Sequence, residues 1–156
     1  MVKLVPMTPG EFDSFLEHGI QEYAKDRVRA GFWTQAESLA RSRKEHRLLL
    51  PDGIKSRYHH FYTIQDADTG AAAGVLWFKT DLDSSRGSGY IFDLEIHEPF
   101  RRRGYARAAM LELENVARGM GLRQLGLNVF AFNDGARALY ESLGYAVASL
   151  SVLKDL

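Results

Sequence analysis

Apolar positions along this chain switch between two periods, and the switches divide it into elements. The opening run Lys3-Leu4-Val5-Pro6 reads as a short edge strand, because Pro6 has no N–H to give to a ladder. Thr8-Pro9-Gly10-Glu11 supplies an N-cap, a proline at the first helical position and a glutamate that closes a capping box. Phe12, Phe15, Leu16, Ile20 and Tyr23 follow at helical spacing, with Gly31 as the stop. Thr34 and Glu37 repeat the capping pattern and open a second helix toward Leu48, and Pro51-Asp52-Gly53 breaks it. The period then shortens. His60 to Ile64 and Ala71 to Lys79 read as antiparallel strands joined by the turn-rich Gln65 to Gly70, and a third strand runs from Tyr90 to Ile96. In that strand Tyr90, Phe92, Leu94 and Ile96 are apolar while Asp93, Glu95 and His97 are polar. The alternation predicts one buried face and one face toward solvent or a cavity.

The helical period returns with Ala106, Ala109, Met110, Leu113, Val116 and Met120 on one stripe. Leu125 to Phe130 reads as a strand. Asn133 opens a further helix with Ala136, Leu139, Tyr140 and Leu143 inward, Gly144 ends it, and Tyr145 to Leu153 reads as a final strand. This order of elements predicts an α+β fold whose sheet is mixed and mostly antiparallel in its first half. No repeat or long linker divides the chain, so residues 1–156 read as a single domain.

Composition narrows the chemistry. There is no cysteine, which excludes thiolate metal ligands, disulfides and cysteine nucleophiles. Twenty basic and 20 acidic residues balance, so nothing supports broad binding to nucleic acid or a membrane surface. Glu11, Asp13, Glu17 and His18 interrupt the first stretch, which therefore is no secretory signal core. No apolar run approaches the ~20 residues that span a bilayer, and the expected location is cytoplasmic.

The segment Leu94-Glu95-Ile96-His97-Glu98-Pro99-Phe100-Arg101-Arg102-Arg103-Gly104-Tyr105-Ala106 carries the chemistry. A strand enters a turn and the turn opens a helix. The first N–H groups of a helix have no partner within it, and its dipole favours negative charge there. A glycine admits a phosphate close to the backbone, and arginines add charge-assisted contacts. Such a turn can cradle a pyrophosphate, although alone it could equally be a solvated basic turn.

Arg101-x-x-Gly104-x-Ala106 resembles the Gln/Arg-x-x-Gly-x-Gly/Ala signature of the GCN5-related N-acetyltransferases, the GNAT family. Further on, Asn133-Asp134-Gly135-Ala136-Arg137-Ala138-Leu139-Tyr140-Glu141-Ser142-Leu143-Gly144-Tyr145 resembles the family's second signature, Asn-x-x-Ala-x-x-x-Tyr-x-x-x-Gly-Phe, with Tyr145 where phenylalanine is commoner. The match covers residues 60 to 153, and the N-terminal helical pair resembles that of a bacterial subgroup.

The resemblance implies a mixed, mostly antiparallel central sheet flanked by about four helices, and acetyl-CoA as co-substrate. It implies that N–H groups from Arg102 through Arg103, Gly104 and Tyr105 to Ala106 hold the coenzyme A pyrophosphate, with Arg101 beginning the turn. The strand at Leu94 to Ile96 would splay from that at Leu127 to Val129 and pair with the pantetheine arm. Asn133 would contact the arm, and Tyr140 would protonate the departing thiolate. From the residues alone, Asn133 is also a good N-cap and Tyr140 a good core residue.

The general base departs from the family. Several relatives carry an acidic residue at the position of Asn128 and histone-type relatives a glutamate near Tyr90, and neither position is acidic here. Asp93, Glu95 and His97 are the nearby titratable groups, and Glu95, closest to the expected carbonyl site, is the preferred candidate.

The acceptor amine, a small molecule or peptide, would bind between the first two helices and the hairpin. Glu22, Tyr23, Trp33 and His60, with His59 and Trp77, are candidate lining residues, since carboxylates with aromatics suit a cation. Adjacent His59 and His60 point to opposite faces of a strand, so no metal site is expected. Oligomeric state is left open, a homodimer being frequent among relatives. The main reading is an N-acetyltransferase acting on a primary amine by direct attack in a ternary complex. The alternative is a non-catalytic acyl-CoA-sensing module.

Overall fold

The computed structural model describes residues 1–81 and 87–156. Strand β1 spans Val2–Pro6, and helices α1 and α2 span Pro9–Arg29 and Gln35–Leu49. Strands β2, β3 and β4 span His59–Asp66, Ala72–Asp81 and Ser88–Ile96. Helix α3 covers Tyr105–Gly119, β5 covers Gln124–Leu127 and α4 covers Asp134–Ser142. The sheet order is β1-β2-β3-β4-β5; its pairs are antiparallel except the last, where β4 and β5 run parallel. This is the mixed α+β architecture expected from the sequence.

The capping box of α1 forms as read. The Glu11 amide donates to Thr8 Oγ1 at 3.2 Å, and the Thr8 amide donates to Glu11 Oε1 at 3.1 Å. The other Glu11 oxygen accepts from Thr63 Oγ1 at 2.6 Å, which ties the start of α1 to β2. The second capping box does not form. Thr34 occupies the N-cap of α2 without a side-chain cap bond. Helix α2 is held laterally instead: Ser42 Oγ donates to the Ile20 carbonyl at 2.6 Å, and Arg43 grips Glu17 through two bonds of 3.0 and 2.9 Å.

The sheet has a core on each face. Ile64, Leu76, Phe78 and Ile91 pack with Tyr105, Ala109, Met110 and Leu113 of α3. On the opposite face Phe61 and Trp77 pack with Met7, Phe12, Phe15 and Leu50.

Strand β4 corrects the simple alternation. Trp77 pairs with Asp93 while Phe78 pairs with Ile91, so Phe92 is an extra residue, a β-bulge. A bulge re-aims the side chains on either side of it. Before it, Ile91 is buried against α3 while Tyr90 and Phe92 remain 39% and 36% exposed. After it, Leu94 and Ile96 turn to the α3 side. Phe92 stacks on Trp77 at 4.6 Å, and Asp93 sits directly across from that same tryptophan.

The C-terminal region departs from expectation twice. Strand β5 ends at Leu127 rather than Phe130, because the chain leaves the sheet there to line a cleft. The segment from Tyr145 to Leu153, read as a final strand, forms no ladder among the described residues, and every residue from Ala146 to Leu156 is exposed. Its alternating pattern suits a strand, but a strand requires a neighbour.

Candidate active site

Parallel pairing of β4 with β5 ends at Ile91 and Leu127. Beyond that point the two chains diverge. A cleft of about 560 Å³ opens there, walled by Phe92, Asp93, Leu94 and Glu95 on one side and by Asn128, Val129 and Phe130 on the other. Helix α1 contributes Gly19, Glu22, Tyr23 and Asp26, α2 contributes Glu45 and His46, and Asn133 and Tyr140 enter from the α4 side.

The turn after β4 is built to leave main-chain donors open. Arg102 and Gly104 both adopt left-handed backbone, at φ 61° and 83°. The Ala108 amide makes the first helical bond, to the Gly104 carbonyl at 3.0 Å. Among the described residues, no amide from Arg102 to Arg107 donates to a backbone carbonyl. Arg101 is pinned by its own strand: Nε donates to the Ile96 carbonyl at 2.8 Å. Arg102 and Arg103 are exposed. Tyr105, by contrast, is buried and donates its hydroxyl to Asp66, which fastens the start of α3 to the β2–β3 turn. That bond holds the Asp66 carboxyl down at about 2. Consecutive unpaired amides at a helix start form a concave donor for an anion.

Asn133 caps α4, its side-chain carbonyl accepting from the Ala136 amide at 3.3 Å. Its Nδ2 donates to no protein atom among the described residues, so the cap leaves a donor for the cleft. Burial raises the Tyr140 phenol pKa, and the Asp93 carboxylate raises it further.

Asp93 is the most perturbed acid of the cleft. Burial lifts its carboxyl to about 7, with repulsion from Glu95 adding to the rise and His18 opposing it. The bulge at Phe92 causes this, by turning residue 93 inward between aromatic rings and other carboxylates. Glu95 lies beside it, with His18 Nε2 2.9 Å from Oε2 and Arg101 Nη2 4.0 Å from Oε1. His97 leaves the cleft and contacts the Ala72 carbonyl at 3.3 Å. Asp26 is also raised, by burial and by Glu22 one turn earlier.

The expected acceptor residues divide. Glu22 and Tyr23 face the cleft, as does Trp77. Trp33 lies behind Tyr23, edge-on at 5.6 Å, and is itself buried. His60 is on the opposite face of the sheet, stacked on Phe78 at 4.8 Å. His59 accepts from Trp77 Nε1 at 2.9 Å, and burial drives its pKa down to about 4. The two histidines thus point apart, as strand geometry requires.

Asp26, Arg27 and Glu45 belong to the cleft and were missed from the sequence. Glu22 and Asp26 are four apart on one helix, and that spacing was the available signal. The Arg27 guanidinium lies over Phe32 at 4.4 Å and Trp33 at 5.0 Å, and its Nε is buried with no hydrogen-bond partner among the described residues.

Known proteins share this fold. The chain is 34% identical over 155 residues to the uncharacterised N-acetyltransferase YycN of Bacillus subtilis, an alignment that covers 99% of both chains. It is 33% identical over 153 residues to YdgE of the same organism, covering 98% of this chain and 97% of that one. The crystal structure of YycN superposes with a TM-score of 0.96, covering 100% of this chain and 99% of YycN. Residues 21–145 match the Acetyltransferase (GNAT) family. With two relatives above 30% identity over nearly their whole length and a family match that spans the cleft, the chain belongs to the GNAT family of acetyltransferases.

Proposed function

We propose that this protein moves an acetyl group from acetyl-CoA to a primary amine by direct attack within a ternary complex. The observation that carries the reading is the opening between β4 and β5 past Ile91 and Leu127, with unpaired amides at Arg102 to Ala106 at the start of α3 and Tyr140 and Asp93 lining its interior. Coenzyme A fits these features by chemistry. The amides and the exposed Arg102 and Arg103 suit a pyrophosphate. Asn133 Nδ2 can donate to an amide carbonyl of the pantetheine arm. The β4 backbone near Leu94 can pair with that arm, while the Ile96 carbonyl is already taken by Arg101.

The amine nitrogen attacks the thioester carbonyl, the new C–N bond forms, and the C–S bond breaks. Alkyl amines are mostly protonated at neutral pH, so a base must take the proton. Asp93 is the better placed of the two adjacent carboxylates, since a base is most effective with a pKa near the working pH and its carboxyl sits at about 7. Glu95, the candidate preferred from sequence, is engaged by His18 and would assist by holding the local charge. Tyr140, kept protonated by burial, gives its proton to the leaving sulfur. Glu22, Asp26 and Glu45 beside Tyr23, Trp77 and Tyr90 suit a cationic acceptor, and an acceptor with a second positive charge best matches so many carboxylates.

The test is release of free thiol from acetyl-CoA across a panel of mono- and diamines, amino acids and peptides. Amine-dependent release, greatest with dications, supports the reading. Binding of acetyl-CoA without release by any amine would favour the acyl-CoA sensor instead.

A further inference from the structure

Arg27 is a cation without a counter-ion in an acid-rich part of the cleft. Gly19, Glu22, Tyr23, Asp26 and Arg27 recur at helical spacing, so one stripe of α1 runs along the cleft wall and Arg27 ends it. The chain reversal after α1 fixes its side chain. The Phe32 and Trp33 amides both donate to the Arg27 carbonyl, at 3.0 and 3.4 Å, which folds their rings back onto the same residue. The guanidinium then lies 4.4 Å from the Phe32 ring, 5.0 Å from Trp33 and 5.8 Å from Tyr23. Ring faces attract a guanidinium and hold its plane, but they do not replace the paired oxygens that its fork takes.

Charges withdrawn from water are ordinarily paired. Among the described residues Arg27 enters no ion pair, although Glu22, Asp26 and Glu45 line the same cleft. Glu22 is taken by Lys25 at 2.9 Å, while Asp26 and Glu45 have no cationic partner among the described residues. Burial raises the Tyr23 phenol pKa, Arg27 lowers it and Glu45 raises it, so both charges stand beside that ring. The cleft thus presents a rigid positive fork next to two open carboxylates. An α-amino acid head group carries the inverse pattern, a carboxylate and an ammonium on one carbon, and a carboxylate meets an arginine fork through two parallel bonds.

The head group's own amine is not the one placed to react. After burial and Glu95, the charges that act on the Asp93 carboxyl include both His18 and Asp26, so Asp93 lies between those two levels of α1. Residues 18 and 27 are about 14 Å apart along the helix. Arg27 therefore stands beyond Asp93 by less than that, a gap for the side chain of an extended acceptor.

We propose that the acceptor is a diamino acid, with its carboxylate on Arg27, its α-ammonium between Asp26 and Glu45, and its distal amine at Asp93. This rests on the acetyl-transfer reading and names the acceptor class. The neutral distal nitrogen forms the new C–N bond as the C–S bond breaks. One of its protons passes to Asp93 and the sulfur takes one from Tyr140, so the products are the acetylated amino acid and the free thiol of coenzyme A.

Lysine and ornithine are compared with cadaverine and putrescine, the same molecules without the carboxylate, and with lysinamide, in which it is neutral. In free-thiol release each diamino acid should exceed its diamine in kcat/KM by about tenfold or more, the range of a charge-assisted pair, and lysinamide should fall with the diamines. Diamines that react as well or better overturn the proposal and leave acetyl transfer standing. Should no amine release thiol, calorimetry on the coenzyme A complex decides: tighter binding of lysine than of cadaverine supports the carboxylate subsite while the transfer reading fails, and equal or absent binding overturns the subsite. Fragmentation of the product should place the acetyl group on the distal nitrogen, and acetyl on the α-nitrogen overturns the orientation. Arg27→Gln should bring the ratio of lysine to cadaverine toward one, chiefly through a higher KM for lysine. A purely structural role would weaken both acceptors alike, so a ratio that survives Arg27→Gln overturns the proposal.

Discussion

Asp93 and Tyr140 line one cleft from different elements, and the carboxylate raises the pKa of the phenol. Burial is the larger cause of the rise in both groups. In the proposed reaction the buried phenol is the proton donor and Asp93, lifted to about 7, the acceptor. The pair exists because a bulge at Phe92 turns residue 93 into the cleft and because α4 is capped at Asn133, seven residues before Tyr140.

Replacing Tyr140 by phenylalanine removes only the hydroxyl. General-acid catalysis contributes about 10²–10⁴-fold, and a thiolate leaves readily, so the loss should sit near the lower end, at about 10² in kcat. Coenzyme A affinity should be unchanged by calorimetry. A Tyr140→Phe enzyme with undiminished thiol release would remove the phenol from the mechanism.

Asp93→Asn makes two separable predictions. In kinetics, kcat/KM of the wild type should rise with pH to a plateau above about 7, as the base ionises. The variant should lose about 10²–10⁴-fold and that limb with it. In stability the sign is opposite. A carboxyl raised from 3.8 to about 7 binds more protons in the folded than in the unfolded state across that interval, so its contribution falls as pH rises. The ligand-free variant should therefore be more stable than the wild type at pH 8, by on the order of 2 kcal/mol, since water in the cleft reduces the full effect. The advantage should shrink toward pH 5. Thermal melts at both values check this.

The parts of the site that could be read in the sequence are those held by neighbours in the chain. Gly104 and the arginines before it mark a turn wherever the rest of the fold lies, and Asn133 and Tyr140 are fixed relative to each other by one helix. Asp93 was not legible as the inward acid, because alternation in Tyr90 to Ile96 looks regular and the extra residue becomes visible only against the register of β3. Asp26 and Glu45 reach the cleft from two helices, and His18 meets Glu95 across 77 positions, so no local pattern joins them. His60 was misplaced for a related reason: strand periodicity separates it from His59 without saying which side faces the cleft. The final strand expected from Tyr145 to Leu153 was misread, because apolar residues suit a strand locally while a strand forms only where a neighbour pairs with it.

Gly104→Ala should separate backbone geometry from space. A Cβ there would have its nearest neighbour, Met1 Cε, at 3.9 Å, which is ordinary contact. The cost arises from φ of 83°, which a residue with a Cβ adopts at about 1–2 kcal/mol. Melting should fall accordingly. Coenzyme A affinity should weaken as well, since relief of the strain rotates the amides on either side of residue 104. Unchanged melting and unchanged affinity together would show that the turn does not depend on glycine.

Gly74→Ala tests whether the far half of β4 is positioned by its neighbour β3. An added Cβ would lie 2.2 Å from the Glu95 carbonyl oxygen and 3.1 Å from Ile96 Cα, both main-chain atoms that cannot rotate away. Strand β4 must therefore shift. It is held on one side by β3 but is unpaired toward β5 beyond Ile91, so the easier direction is into the cleft. Overpacking of this kind costs about 1–3 kcal/mol, which a chain of this size can survive while folded. The stronger effect should be on ligand: narrowing between Leu94 and residues 128–130 should reduce coenzyme A affinity by about tenfold or more, equivalent to 1.4 kcal/mol. Calorimetric titration of the folded variant decides the matter. Affinity equal to the wild type, at a lowered melting temperature, would place the pantetheine arm elsewhere than along β4.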